Sequence, residues 1–382
     1  MKAIGMYIFG GSQTIGHLLE GWDIDIILEM TNDMKDTNSY HFVKNYPNIE
    51  LKLPKDTTKE YIDTLKNKYD LLFANPPCSG LSTINRHAGV NNAVNIHIYE
   101  VVNMINTIQP KTFLIENAPT LTSKGLPILK NISEKLNESY RLIIINDRAC
   151  NHNVPMYRRR TFVVGFNKKY FNGVPKINRY YNEKITVEKI LKNIDYTYNK
   201  EFVEDTNQSL FKFYHLIKPN QSIYEALAEN DVDLTGLSKS IINSVNKLKY
   251  KIENNLNIWD KSPYRPAMNQ LFPSLTSLTR IIHPIENRDL YIREYAAIMG
   301  YPKNFIFYPK ECKINTIQCI AQGVPVNFIR YISKEIMHSF NTNEYLPGEV
   351  IYINQCNIDN VKEKIFYNID EFLNIKSLVK YN

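Results

Sequence analysis

The first 165 residues of this chain alternate between short apolar runs and segments with helical periodicity. The pattern predicts a buried strand at 3–10, a helix at 13–20 and a second strand at 22–29. It continues to an apolar strand at 161–166. Strands that alternate with helices usually pair in parallel and are covered on both faces. The sequence therefore predicts an α/β fold with a Rossmann-like core.

A glycine-containing turn separates the first strand from the first helix. Phe9, Gly10 and Gly11 form this turn, and the second strand ends on Glu29, which Met30 follows. Glycines let the backbone approach a ligand closely, and an acid at the end of the second strand can bind two ribose hydroxyls. The full dinucleotide-binding fingerprint is missing, so an ordinary βα turn also explains the glycines.

A proline-stiffened loop, Asn75-Pro76-Pro77-Cys78-Ser79-Gly80, follows the apolar strand at 69–74. Its two prolines fix φ and remove two backbone donors, so the loop cannot continue as a helix. Cys78 is thereby held at a strand's carboxyl end, where open α/β sheets bind ligands and where a nucleophile is well placed. A turn with an incidental cysteine is the alternative that this stretch leaves open.

Charged residues occur at two further strand ends. Glu116 follows the apolar run 112–115, and Arg158, Arg159 and Arg160 precede the strand at 161–166. Strand alternation directs Arg158 and Arg160 to one face, so these two can act together. The alternatives are a helix-capping acid and a charged edge strand.

The middle of the chain differs in character. Residues 168–270 lack the βα alternation and contain 16 Lys and Arg against 12 Asp and Glu. The segment begins with a basic and aromatic stretch that includes Lys168, Tyr170, Arg179 and Tyr181. Such a stretch suits phosphate contacts and base stacking, and it also suits a solvated face above packed tyrosines.

Bulk composition narrows the class of protein. The 382 residues allow one large domain with an insert, or two domains, and the net charge of +7 is compatible with a polyanionic partner. There is no charged-then-apolar leader and no run of 18 apolar residues, so we expect a soluble, intracellular protein without a membrane partner. Five widely spaced cysteines predict neither a disulfide framework nor a zinc site, and no metal is expected.

Taken in order, these motifs resemble those of the cytosine-C5 DNA methyltransferase family. Cys78 falls on the family's Pro-Cys nucleophile, and Glu116 falls on its Glu-Asn-Val motif. Arg158 and Arg160 fall on its Gln-x-Arg-x-Arg motif. The resemblance implies that these four residues are catalytic.

The resemblance continues after the variable stretch. Arg288–Glu294, Tyr301-Pro302 and Ala321–Pro325 resemble three late motifs of the family. The implied cofactor is S-adenosyl-L-methionine. The residues implied to contact it are Phe9, Gly10, Gly11, Glu29, Met30, Pro76, Gln322 and Val324.

The same resemblance implies a domain organisation and a partner. It predicts a catalytic, S-adenosylmethionine-binding domain at 1–167 and a smaller target recognition domain at 168–272. Late motifs at 273–340 return to the catalytic domain, and the extension at 341–382 has no assigned role. The expected partner is double-stranded DNA, bound by a monomer in the cytoplasm of a bacterial cell or a phage-infected host, in a restriction-modification context.

The family's mechanism makes specific demands on this site. A Cys78 thiolate would add to C6 of a flipped-out cytosine and make C5 nucleophilic, so the site should favour the ionised thiol. Protonated Glu116 would donate to N3, which requires a raised carboxyl pKa, while the arginines would hold O2. The loop after Cys78, through Arg86 and His87, would close on the base.

The sequence also departs from the family. Ser79 and Met156 replace the usual Gln residues, and Ala118 replaces a Val. Ala321 and Gln322 replace the Gly and Asn of the last motif. The resemblance implies that the replaced Gln and Asn residues make contacts at the hinge near the sheet and support the recognition domain, so these contacts must differ in this chain.

Three rival functions remain open. A tRNA cytosine-C5 methyltransferase would carry similar motifs, although the long variable region favours DNA. An adenine-N6 methyltransferase has a motif similar to Asn75–Cys78, but it needs an aromatic residue where Cys78 cannot stack on a base. The presence of both Cys78 and Glu116 argues against a non-catalytic DNA-binding relative.

Overall fold

The computed structural model describes residues 1–30, 38–82, 89–178, 184–202, 208–230, 232–257, 260, 262–276, 280–312, 314–354 and 364–366. Strands within these residues are β1 (Lys2–Met6), β2 (Asp23–Leu28), β3 (Glu50–Lys52), β4 (Leu71–Ala74), β5 (Thr112–Asn117), β6 (Tyr140–Arg148), β7 (Arg159–Asn167), β8 (Val174–Pro175), β9 (Gln221–Ser222), β10 (Tyr264–Arg265), β11 (Tyr345–Leu346), β12 (Val350–Asn354) and β13 (Lys364–Phe366).

Nine of these strands form one sheet in the order β13-β12-β6-β7-β5-β4-β1-β2-β3. The five strands β1 to β5 run parallel to one another. The strand β7 runs antiparallel to both of its neighbours, β5 and β6. The predicted α/β fold with a parallel, Rossmann-like core is confirmed, and the sequence pattern did not predict the reversed strand.

Helices cover both faces of this sheet. Alternate residues of β4 point to opposite sides, so Leu71 and Phe73 enter one core cluster while Leu72 and Ala74 enter the other. The helices within the described residues are α1 (Ser12–Leu19), α2 (Tyr40–Asn45), α3 (Lys59–Thr64), α4 (Ile96–Ile108), α5 (Leu126–Leu136), α6 (Val187–Leu191), α7 (Ile223–Glu229), α8 (Lys239–Glu253), α9 (Ile292–Ile298), α10 (Thr316–Gln322) and α11 (Val326–Ser339). The first cluster includes residues of α1, α9, α10 and α11, and the second includes residues of α3, α4 and α5.

Residues 208–248 build a separate small core. A 3-10 segment, Gln208–Leu216, packs with α7 and α8 around buried residues such as Leu227 and Val245. Ser222 and Glu225 form a capping box that starts α7, which fixes its first turn. Phe171 also falls within the predicted recognition domain at 168–272, but it packs into the main core. The domain boundaries predicted from the sequence stay predictions.

Part of the C-terminal extension belongs to the main sheet. The strand β12 pairs in parallel with β6, from Val350 opposite Leu142 to Asn354 opposite Asn146. Ile351 is fully buried there. The sequence assigned no role to this extension, and the structure shows that its described part widens the sheet. In the described part of the chain, no helix is long and apolar enough to cross a membrane.

Close packing between β5 and β7 gives a test of the sheet. Gly165 lies opposite Phe113, and an added Cβ at Gly165 would overlap the Phe113 ring. We expect Gly165→Ala to lower the free energy of unfolding by about 1–3 kcal/mol, because the core cannot expand freely. Urea unfolding measures this. Gly89→Ala is the matched control, since a Cβ there would meet no heavy atom within 4 Å; equal losses in both variants would contradict the packing.

Candidate active site

The site lies where the parallel strands end, at the carboxyl edge of the sheet. The loop that carries Cys78 follows β4, and Glu116 lies at the end of the neighbouring strand β5. Since β7 runs antiparallel to β5, its first residues lie at the same edge. The reversed strand therefore brings Arg160 to the acid and the thiol.

A cavity of about 520 Å³ opens at this edge. Three predicted catalytic residues, Cys78, Arg158 and Arg160, line it, and two predicted cofactor residues, Phe9 and Gln322, also line it. Small-molecule sites usually have volumes of this order. The cavity is large enough to accept a base that has left a nucleic-acid stack.

Glu116 and Arg160 form a buried ion pair beside the cavity. Arg160 Nε lies 2.7 Å from Glu116 Oε1, and the Glu116 side chain is 1% exposed. Burial raises the pKa of Glu116, although Arg160 and Arg158 oppose the change. A carboxyl donates a hydrogen bond only when it is protonated, and a raised pKa favours this protonated form, as expected for Glu116.

Cys78 differs from the sequence-based expectation of an ionised thiol. Burial raises the pKa of Cys78; Arg160 and Arg158 lower it, and Glu116 raises it. Burial dominates, so this geometry favours the neutral thiol. Because a negative Glu116 opposes a negative Cys78, protonation of Glu116 promotes ionisation of Cys78, and the two groups titrate as a pair.

Arg158 connects the site to the late part of the chain. Its guanidinium donates to the carbonyl of Leu275 at 2.5 Å and to that of Gly323 at 2.9 Å. Burial and the nearby Arg160 lower the pKa of Arg158 to about 9. Met156, two residues before Arg158, accepts the Leu275 N–H through its sulfur at 3.4 Å. Met156 therefore supports the segment in place of the family's usual Gln.

The glycine turn between β1 and α1 is tightly packed. Gly11 has φ of 87°, a left-handed conformation that disfavours a side chain, and Phe42 occupies the space of its missing Cβ. A Cβ at Gly10 would lie 2.6 Å from the carbonyl oxygen of Cys319. Both glycines are therefore required by the close approach of other protein groups, and their predicted contact with the cofactor stays a prediction.

Glu29 lies apart from the cavity, directly after β2, and is buried. Its Oε1 accepts the Met30 N–H at 2.9 Å. Burial raises the pKa of Glu29 to about 7, although the hydrogen bonds from Met30 and Ser39 oppose the change. The carboxyl can therefore change its protonation state near neutral pH.

Several buried amide atoms at this edge have no hydrogen-bond partner among the described residues. Both polar atoms of Gln13 and of Asn75 lack one, as do Nδ2 of Asn117 and Oε1 of the half-buried Gln322. Unpaired buried polar groups are costly, so these atoms fit a polar ligand that would pair with them. The predicted contacts Pro76 and Val324 are also buried and do not line the cavity.

Sequence reasoning missed some residues and made predictions that the structure does not address. Tyr157 and Thr276 line the cavity without having been singled out. Tyr157 could have been found from its place beside Arg158, whereas Thr276 is far away in sequence and carried no signal. Arg86 and His87, predicted to close on the base, lie outside the described residues.

Comparison with known proteins identifies the family. Residues 6–338 match the sequence model of the C-5 cytosine-specific DNA methylases. The type II methyltransferase M.FnuDI of Fusobacterium nucleatum is 25% identical over 365 residues, which cover 92% of this chain and 98% of that protein. M.DdeI of Desulfomicrobium norvegicum is 23% identical over 420 residues, which cover 94% and 96%.

Solved structures share the fold. A DNA modification methyltransferase encoded within an E. coli prophage superposes with a TM-score of 0.62 and 17% identity, covering 90% of this chain and 100% of that one. The match at 6–338 spans most of the chain and includes all four predicted catalytic residues. The chain therefore belongs to the C-5 cytosine-specific DNA methylase family, as a DNA cytosine-5-methyltransferase that uses S-adenosylmethionine.

Proposed function

We propose that this enzyme methylates cytosine in duplex DNA through a covalent adduct between Cys78 and C6 of the base. The observation that carries this proposal is the buried Glu116–Arg160 pair beside Cys78, at a cavity of about 520 Å³. A flipped cytosine in this cavity would present its edge to the carboxyl and the guanidinium.

Each residue has a defined task in this proposal. Entry of the base lets Glu116, as the neutral acid, donate to N3, which offsets the charge that builds up when Cys78 adds to C6. Arg160 holds O2 and keeps the pair oriented. Arg158 already binds two backbone carbonyls, so we assign it mainly to positioning. Once C5 carries the methyl group, water takes the C5 proton, and the electron pair of that C–H bond re-forms the C5=C6 double bond while the C6–S bond breaks and releases the Cys78 thiolate.

The residues present fit S-adenosylmethionine. Bound next to the cavity, it supplies an electrophilic methyl group for C5. We propose that Glu29 binds its ribose hydroxyls and that the turn at Phe9–Gly11 admits it closely. The unpaired amides of Gln13, Asn75 and Gln322 suit its polar groups.

We assign DNA reading to the segment 168–272. Its longest helix, α8, carries four lysines and one glutamate, while Ile241, Val245 and Leu248 of the same helix are buried in the small core. An amphipathic helix with a cationic outer face suits phosphate contacts.

The two relatives described above are type II methyltransferases, which supports a restriction-modification role inside a bacterial or phage-infected cell. We propose that the enzyme acts as a monomer.

Trapping with 5-fluorocytosine tests the covalent mechanism. With S-adenosylmethionine and a fluorinated duplex, the wild type is expected to form an adduct that survives denaturing electrophoresis. Cys78→Ala should form none and should lose at least about a thousandfold in methylation rate, as expected on removal of a nucleophile. Cys150→Ala, which changes a buried cysteine outside the cavity, is the control.

Two outcomes would contradict the proposal. An adduct in Cys78→Ala equal to that of the wild type would exclude Cys78 as the nucleophile. Methylation of tRNA in preference to duplex DNA would instead establish the rival substrate. Bisulfite-type sequencing of DNA from cells that express the protein would report the target site.

The pH profile tests the role of Glu116. The active pair carries one proton, on Glu116 and not on Cys78, so the wild-type single-turnover rate should rise and then fall with pH. Glu116 contributes the fall, since its acid form continues to be lost at pH values where Cys78 is already ionised and cannot compensate. Glu116→Gln should lower the rate by about 10²–10⁴-fold and abolish the falling limb. A falling limb that persists in this variant would exclude Glu116 as the proton donor.

Glu29 makes cofactor binding dependent on pH. Its pKa of about 7 means that the carboxylate, which can accept from two hydroxyls, forms as pH rises through neutrality. The affinity for S-adenosylmethionine, measured by calorimetry on both sides of neutral pH, should therefore increase with pH. Glu29→Gln should bind more weakly and without this dependence. The same slope in both proteins would assign the titration to another group.

A further inference from the structure

Three potential metal ligands meet in the interior, outside the catalytic cavity. A ring nitrogen of His41 and the sulfurs of Cys312 and Cys319 all lie within 4.8 Å of one another. His41 and Cys319 are fully buried, and Cys312 is 8% exposed. The two sulfurs are not joined in a disulfide. We propose that His41, Cys312 and Cys319 bind one zinc ion.

The chemistry of the three groups suits zinc. Thiolate and imidazole are the ligands that structural zinc sites use, and two sulfurs bound to one zinc lie about 3.8 Å apart, which is compatible with three ligand atoms that all lie within 4.8 Å of one another. Two thiolates balance the charge of Zn²⁺, so the loaded site is neutral. A neutral site is compatible with its apolar surroundings, which include Tyr40, Tyr308 and Ile314.

His41 provides a second observation. Its Nε2 is buried and makes no well-aligned hydrogen bond within the described ranges, although the Cys312 thiol lies beside the ring, whereas its Nδ1 accepts the Tyr308 N–H at 3.1 Å. Coordination through Nε2 moves the ring proton to Nδ1 and gives up the bond from Tyr308. The Tyr308 N–H and the Nδ1–H would then face each other as donors, so the backbone at Tyr308 has to shift, a cost smaller than the affinity of two thiolates for zinc. Water or Asn38 Oδ1, 3.8 Å from Cys319 Sγ, completes the tetrahedron.

The site would join two distant parts of the chain behind the cofactor turn. His41 precedes Phe42, which occupies the space beside Gly11, and the carbonyl of Cys319 packs against Gly10. Zinc at this position connects α2 to α10 and fixes both supports of the turn. The spacing of the cysteines predicts no zinc site because the histidine comes from the other end of the chain.

Metal analysis of the untagged, full-length protein tests the proposal. Plasma mass spectrometry of wild type purified under reducing conditions should find one zinc ion per chain. Cys312→Ser and Cys319→Ser should reduce zinc content at least about tenfold. Cys150→Ser should keep it, because Cys150 is equally buried and lies outside the cluster.

A spectroscopic measurement on the wild type avoids variants that fail to fold. Cobalt added to the chelator-treated wild type should produce the thiolate-to-metal absorption of a tetrahedral site, and zinc should displace it. No zinc in the purified protein together with no cobalt absorption would overturn the proposal. So would mass-spectrometric detection of a Cys312–Cys319 disulfide in protein alkylated at lysis, which would identify a redox pair instead.

Cofactor binding gives a consequence that can be measured without methylation. Chelator treatment should weaken S-adenosylmethionine binding about tenfold by calorimetry, and zinc should restore it. Unchanged affinity would disprove the connection to the turn. Zinc content does not depend on whether Cys78 forms an adduct, so failure here and failure of the proposed mechanism are separate results.

Discussion

The position of Arg160 beside Glu116 depends on the reversed direction of β7. This strand is nine residues long, so a parallel strand in its place would begin about 30 Å from the edge where β4 and β5 end. The antiparallel ladder with β5 instead brings the arginine motif to the acid. Removing either Glu116 or Arg160 would leave the other charge without its partner at a largely buried site, which is strongly destabilising.

Arg158 extends this dependence to the second half of the chain. A buried guanidinium needs acceptors, and here backbone carbonyls of Leu275 and Gly323 accept from its two terminal nitrogens, while Nε has no partner among the described residues. Those carbonyls come from the late segments, which pack back against the catalytic core. The Arg158 guanidinium thereby fixes the position of both late segments beside the cavity. One arginine of the motif bonds to the acid and the other to the late backbone, although strand alternation alone treats them as equivalent.

The sequence predicted what depends on local pattern. Alternation of apolar runs identified the core strands, and the order of motifs identified Cys78, Glu116 and Arg160 as one group. It could not show that burial would raise the pKa of Cys78, because desolvation depends on the folded surroundings and not on neighbours in sequence. The position of Thr276 at the cavity and the contact of Cys319 with Gly10 could not be predicted either, because both depend on how distant segments fold together. The sequence shows Met156 in place of the family's Gln, but it could not show that the Met156 sulfur accepts the Leu275 N–H.

The pairing of β12 with β6 has a consequence for synthesis of the protein. Residues 142–146 and 350–354 are far apart along the chain, so the edge of β6 stays unpaired until the later segment has left the ribosome. During that interval an apolar edge, Leu142 to Ile145, is available for pairing with another chain. Among the described residues, this side of the finished sheet ends in β13, a strand of three residues. A nascent chain of this enzyme therefore exposes the β6 edge to aggregation until β12 has been made.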